Sequence, residues 1–431
     1  MEQDRVIQFQ AGSLNVHIIP SKTFKTTTFN IQLNAPLTEE TATKRALLSH
    51  ILQNSTADHP SRQQLRSALE ELYGASLFSD VTKKGEHHII SIRMEIANEK
   101  FLKDQTPLME EGIKLLASVL RNPNLENGTF NEKIVEEEKR SLAQKISSVF
   151  DDKMRYANKR LTEEMCQGEP FGVHVLGREE DLQAITSSAL FDYYKETLKK
   201  DKMDLYIMGD VEEKEITSFI MRYFPDEQAD ERESRQLSER SSNELKDTPN
   251  EVVEEQSVQQ GKLHIGYRTD VLYGDDDYFA MQLFNGIFGG FSHSKLFINV
   301  REKASLAYYA ASRVESFKGL LIVMSGIQSS HYKKASDIIF KQMEEMKQGN
   351  FTEEDIEQTK AVYKNQILET MDVPRGRIEL EYHNELTENP IPLNEWVKRT
   401  DSVTKEDIVN VAKKIKLDTV YFLKGKEEAT K

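Results

Sequence analysis

The feature that most constrains this chain is an internal duplication. Phe130-Asn-Glu-Lys-Ile-Val-Glu-Glu-Glu-Lys139 matches Phe351-Thr-Glu-Glu-Asp-Ile-Glu-Gln-Thr-Lys360 at one fixed offset, pairing Phe130 with Phe351, Glu132 with Glu353, Glu136 with Glu357 and Lys139 with Lys360. Each copy opens a long charged helical pattern. Similarity at one offset means that one supersecondary unit is used twice. Between the copies runs DEQADERESRQLSERSSNELKDTPNEVVEEQ, which has almost no core-forming residues and cannot offset its own ordering entropy. The reading is therefore a first domain over 1–225, an acidic linker over 226–258 and a second domain over 259–431.

Within each half the order of patterns repeats. Strand-like alternation comes first, at Thr27–Leu33 and again at Lys262–Tyr267. A helical stretch follows, then a long hairpin: Ser76–Ile96 turning at Lys83-Lys84-Gly85-Glu86, and Leu306–Ile327 turning at Phe317-Lys318-Gly319. Helices are predicted over 107–120, 130–165, 333–348 and 352–370. Each half closes on a helix and a strand, Asp204–Gly209 in the first and Asp418–Gly425 in the second. The fold class is α+β: two similar domains, each a mainly antiparallel sheet with helices packed on it.

Composition narrows the function classes. With 57 Lys+Arg against 72 Asp+Glu the formal net charge is −15, and no basic cluster is present, which argues against nucleic acid and anionic membranes as partners. The 38% hydrophobic content fits a globular chain rather than a disordered or collagen-like one. The single cysteine, Cys166, reads as a buried small hydrophobe in a reducing compartment. No apolar run reaches the ~20 residues of a membrane span, and no basic-then-apolar leader opens the sequence. A cytoplasmic protein is expected.

Taken residue by residue, chemistry is sparse. Gly286-Ile-Phe-Gly289-Gly290 lacks the Gly-Lys-Ser/Thr ending of a phosphate loop and reads as a turn between helices around Asp277–Phe288 and Ser294–Glu302. The ten histidines include no i, i+4 pair with an intervening glutamate. His87 and His88 are strand neighbours and point to opposite faces. Glu136-Glu137-Glu138 and Asp151-Asp152 read as solvated helix faces.

Two longer motifs carry a resemblance. Pro170-Phe-Gly-Val-His-Val-Leu-Gly177-Arg-Glu-Glu-Asp-Leu182, followed by Tyr194 and Leu205-Tyr-Ile-Met-Gly209-Asp210, forms one. Asn285-Gly-Ile-Phe-Gly-Gly-Phe-Ser-His-Ser-Lys-Leu-Phe297 leading to Arg301-Glu-Lys-Ala-Ser-Leu-Ala-Tyr308 forms the other. With the duplication, they resemble the pitrilysin/insulinase superfamily of inverted zinc peptidases over essentially the whole chain, especially two-domain members similar to mitochondrial processing peptidase subunits. Active relatives carry His-x-x-Glu-His and a distant glutamate; these hold zinc, and the inner glutamate takes the proton of the attacking water.

The matching segment here is Arg45-Ala-Leu-Leu-Ser-His50-Ile-Leu-Gln-Asn-Ser-Thr56. The resemblance places Ala46 at the first histidine, Ser49 at the base and His50 at the second histidine. A methyl cannot ligate and a hydroxyl cannot serve as that base. On the later helix it places Glu138 at a supporting carboxylate and Lys145, two turns on, at the third ligand, where an ammonium would repel zinc; whether Lys145 occupies the zinc position stays open. The second-half motif is intact. By the resemblance Arg301 and Tyr308 reach a substrate carbonyl and its oxyanion; read alone, they are a local ion pair and a packed hairpin phenol.

The resemblance implies a non-catalytic subunit that binds no metal itself. Its partner would be a His-x-x-Glu-His-bearing homologue holding zinc, with four similar domains in a clamshell and a peptide substrate added as a strand on a sheet edge. Two other readings stay open. One is a peptide-binding or assembly scaffold without proteolysis; similar bacterial chains, alike also at Gln259–Arg268, are described as linked to modification of elongation factor P. The other is an active peptidase using His50 and unconventional ligands.

Overall fold

A computed structural model describes residues 6–103, 106–224 and 248–425. The elements in chain order are β1 (Ile7–Ala11), β2 (Leu14–Pro20), β3 (Thr26–Pro36), α1 (Glu39–Leu52), α2 (Arg62–Glu71), β4 (Ser76–Lys84), β5 (His87–Ala97), α3 (Leu108–Arg121), the short ribbon β6 (Leu125–Glu126) and β7 (Thr129–Phe130), α4 (Glu132–Asp151), α5 (Lys153–Met165), α6 (Ser187–Lys200), β8 (Lys202–Gly209) and α7 (Glu213–Tyr223). The second half adds β9 (Asn250–Gln256), β10 (Gly261–Arg268), α8 (Tyr278–Asn285), β11 (Ala307–Glu315), β12 (Leu320–Ile327), α9 (Tyr332–Lys347), α10 (Glu353–Met371), α11 (Pro374–Asn384), α12 (Trp396–Ser402), α13 (Lys405–Lys414) and β13 (Lys416–Gly425). Among the described residues, no helix is long and apolar enough to cross a membrane.

The chain divides into two units. The first takes residues up to 147, 173–224 and 374–378; the second takes 148–172, 248–373 and 379–425. From the hairpin edge, the first sheet runs β4-β5-β3-β8-β2-β1 and the second runs β11-β12-β10-β13-β9. The hairpin, the central strand beside it and the half's last strand occupy equal places in both sheets. In both, the last strand takes a parallel neighbour, β2 on β8 and β9 on β13.

That equivalence corrects the linker. Residues 250–256 are a strand, the counterpart of β2, and only their low apolar content hid them. The rest of the expected linker, 226–247, lies outside the described residues. A second difference concerns 130–165, expected as one helix. It breaks at Asp152, whose carboxylate accepts from the Met154 and Arg155 amides and so caps α5. The segment 148–172 then belongs to the second unit, so the expected boundary at 225 does not describe the packing. Its α5 lies on β10 and β13: Tyr156 and Arg160 donate to Glu254 of β9 at 2.9 and 2.7 Å, and Arg268 grips Glu169 through both terminal guanidinium nitrogens.

In the first unit, β3 shows how a strand divides its labour. Phe29, Ile31 and Leu33 enter the apolar core under the helices, each fully buried. Their neighbours Asn30, Gln32 and Asn34 face the other way and are also buried, and Asn30 and Asn34 find partners there. Ser91 donates to Asn30 at 2.9 Å and the Asn34 amide meets His87 Nδ1 at 3.1 Å.

Helix α1 is buried almost all round, from Ala42 to Leu52 with Lys44 as the exception. Its Arg45 has no solvent exposure. Its guanidinium pairs with Asp201 at 2.6 Å and donates to the backbone carbonyls of His88, at 3.0 Å, and Leu33. Burial alone would favour a neutral side chain, but Asp201 and Tyr193 overcome it and hold Arg45 charged. Arg45→Met is expected to cost about 3–5 kcal/mol in urea unfolding followed by circular dichroism, because it strands the Asp201 charge. The double change Arg45→Met/Asp201→Leu is expected to recover most of it; equal losses in both variants would contradict the pairing.

Candidate functional site

Arg45 sets the rotation of α1, and the motif positions follow from it. The loop after 173 presses on the same helix: Gly177, at φ +72, leaves no room for a Cβ, which would lie 2.0 Å from Thr43 Oγ1. Thr43 in turn donates to Asp181 at 2.7 Å and accepts from the Arg178 amide at 3.0 Å. Ala46, Ser49 and His50 are all buried.

Ala46 and Ser49 cannot serve a metal or a general base in the way active relatives require. Ala46 has no donor atom. The Ser49 hydroxyl donates to the Ala46 carbonyl at 2.7 Å, a bond closed within the helix turn. His50 places Nδ1 3.2 Å from Glu138 Oε2. The same carboxylate accepts from Asn54 at 2.7 Å and pairs with Arg62, a mostly exposed side chain at the start of α2. Lys145 is exposed on α4, two turns beyond Glu138. These residues do not fit a catalytic zinc.

Glu138, expected as part of a solvated face, is instead 3% exposed. Asn54 and Arg62 were not foreseen. Asn54 stands one turn past His50, a spacing that could have suggested a shared partner, whereas Arg62 is brought in only by the fold. The duplicated helix offers an internal comparison, since Glu138 corresponds to Thr359 of α10. There the position is closed: His293 Nε2 meets Thr359 Oγ1 at 2.9 Å, and a Cβ on Gly286 would lie 2.5 Å from the threonine methyl. The glycine cluster is thus not a positive-φ turn. Gly286–Gly290 continues α8 as a π-wound segment, and its glycines permit close approach.

Arg301 and Tyr308 lie in the second unit on neighbouring elements. Arg301 belongs to the π-wound segment Phe297–Lys303, which packs on β11, the strand carrying Tyr308. Its guanidinium sits 4.6 Å from the Phe297 ring centre, with Nε 3.5 Å from Glu302 Oε1, and its side chain is 44% exposed. Tyr308 is 70% exposed and does not pack in the hairpin. Both keep polar groups toward solvent, as binding residues do.

Burial pushes the Glu138 carboxyl up, but the His50 and Asn54 hydrogen bonds and the Arg62 charge outweigh it and hold the group below the ordinary carboxylate range. A carboxyl lowered in the folded state stabilises it above the unfolded value, about 4.3, and that stability is lost as pH falls through the folded value. Glu138→Gln is expected to cost about 1–3 kcal/mol at pH 7 and to flatten the acid side of stability against pH. Urea midpoints that fall in parallel for both proteins below pH 5 would contradict this.

Comparison with known proteins places this geometry. A family model described as "Peptidase M16 inactive domain" matches residues 184–363. The Bacillus subtilis (strain 168) protein described as "Probable inactive metalloprotease YmfF" is 51% identical over 419 residues, 97% of each chain. A conserved protein from Enterococcus faecalis V583 has a crystal structure of the same fold, with TM-score 0.89 and 34% identity over 99% of this chain and 100% of that one. A Helicobacter pylori protease shares the fold at TM-score 0.79 and 15% identity, over 98% and 100%. The chain belongs to the M16 peptidase family, within the pitrilysin/insulinase superfamily, and carries Ala46 and Ser49 where active relatives have the first histidine and the base.

Proposed function

We propose that the chain is the non-catalytic subunit of a two-chain zinc peptidase, working with a homologue that retains His-x-x-Glu-His. The observation that carries this reading is an asymmetry between the two motif sites. In the first half the positions of the first histidine and the base are Ala46 and Ser49, and the Ser49 hydroxyl is closed onto the Ala46 carbonyl. In the second half, Arg301 and Tyr308 remain exposed. Tyr308, at 70%, is the most exposed large hydrophobic side chain among the described residues, and it stands on the strand adjoining the segment that carries Arg301.

In this arrangement the partner holds zinc and the general base. Arg301 and Tyr308 donate hydrogen bonds to the peptide carbonyl as negative charge develops on its oxygen, and donors fixed beforehand serve best there. The peptide is held as an added strand, for which the sheets offer edges at β1 and β4 in the first unit and β9 and β11 in the second. The cytoplasm is the compartment this reading assigns.

The test is reconstitution. The chain is mixed with a purified His-x-x-Glu-His homologue from the same organism, and cleavage of a fluorogenic peptide is followed. Arg301→Ala and Tyr308→Phe are each expected to lower kcat/KM about 10²-fold, the scale of losing one oxyanion donor, with folding unchanged by circular dichroism. Activity that survives both changes intact would sink the shared-site reading and leave a scaffold without proteolysis.

A further inference from the structure

We infer that Phe297 is a positioning residue for Arg301. Its catalytic consequence rests on the function proposed above; the geometry does not. Phe297 and Arg301 stand four apart in one π-wound segment, a spacing at which side chains share a helix face. The guanidinium carbon lies 4.6 Å from the ring centre, well inside cation–π range. A guanidinium held over a ring can still offer its in-plane N–H fork, the part that recognises a carbonyl or carboxylate. Glu302 Oε1 lies 3.5 Å from Nε.

The ring itself has little other work. Phe297 is half-buried and lies outside the second unit's apolar core, while Leu296 and Val300 beside it are fully buried members of that core. An aromatic side chain kept half in water, with a cation on its face, restrains that cation more than it stabilises the fold. A free arginine side chain has many rotamers to lose on binding, and a ring beneath it removes much of that loss beforehand.

The test uses the full chain in two arms. In the first, Arg301 is observed by NMR through its Nε–Hε group and its side-chain protons. In the wild type these protons are shifted upfield by the ring and the Nε–Hε vector is ordered. Phe297→Leu, close in volume but without a π face, is expected to abolish both signatures, and Phe297→Tyr to keep them. In the second arm, the reconstituted peptidase is assayed. Phe297→Leu is expected to lower kcat about two- to five-fold with KM nearly unchanged, and Phe297→Tyr to restore it.

If Phe297→Leu leaves the Arg301 signals as in the wild type, the inference is wrong. If those signals change as expected while Arg301→Ala has no effect on activity, the positioning stands and the proposed function fails. If Arg301→Ala disables the enzyme but Phe297→Leu and Phe297→Tyr both match the wild type in kcat, the ring has no positioning role in the reaction.

Discussion

A guanidinium with no access to water anchors the first unit. Arg45 and Asp201 each lose several kcal/mol of hydration on burial, and the pair is tolerable only because the arginine fork finds acceptors in fixed directions. Those acceptors lie on different elements: Leu33 on β3, His88 on β5, and Asp201 between α6 and β8. One side chain thus ties α1 to the middle of the sheet and to the crossover that supplies its neighbour strand. The motif positions begin at the next residue. Their placement is inherited from this anchor rather than from any metal, so the first histidine and the base can be absent without loss of the architecture.

The duplication shows two outcomes for the same framework. In the second half, the position equivalent to Glu138 is a threonine packed against a glycine, which leaves no space and no charge. In the first half, the position keeps a buried carboxylate, and the imidazole, amide and guanidinium around it supply the positive charge and donors that a buried carboxylate requires. Arg62 does for Glu138 what a nearby cation must do in any such site. The first half is therefore a remodelled polar centre, and the second is a closed one with its exposed Arg301 and Tyr308 on the adjoining elements.

Much of this was legible in the sequence, for identifiable reasons. Strand patterns located β3, β8, β10, β13 and both hairpins, because those strands turn one face into an apolar core. The fixed offset between Phe130 and Phe351 revealed the repeat. What escaped notice were features whose signal is not periodic. Strand β9 is rich in glutamate and lies at a sheet edge, where half-burial demands little apolar content. The break before α5 rests on one capping aspartate in a charged run. The glycine cluster looked like a turn because glycine serves both turns and close approach, and only coordinates separate the two uses. At the site, substitution at Ala46 and Ser49 was readable from residue type alone. The burial of Glu138 and the arrival of Arg62 were not, since both depend on contacts between distant segments.

The proposal to be tested is that this chain holds no catalytic zinc of its own and supplies substrate-facing groups to a second chain. Native mass spectrometry of an equimolar mixture with the His-x-x-Glu-His homologue, in zinc-containing buffer, tests it most directly. The account predicts a 1:1 complex carrying one zinc ion, with this chain alone metal-free. A metal-loaded chain in isolation, or two chains that never associate, would contradict it.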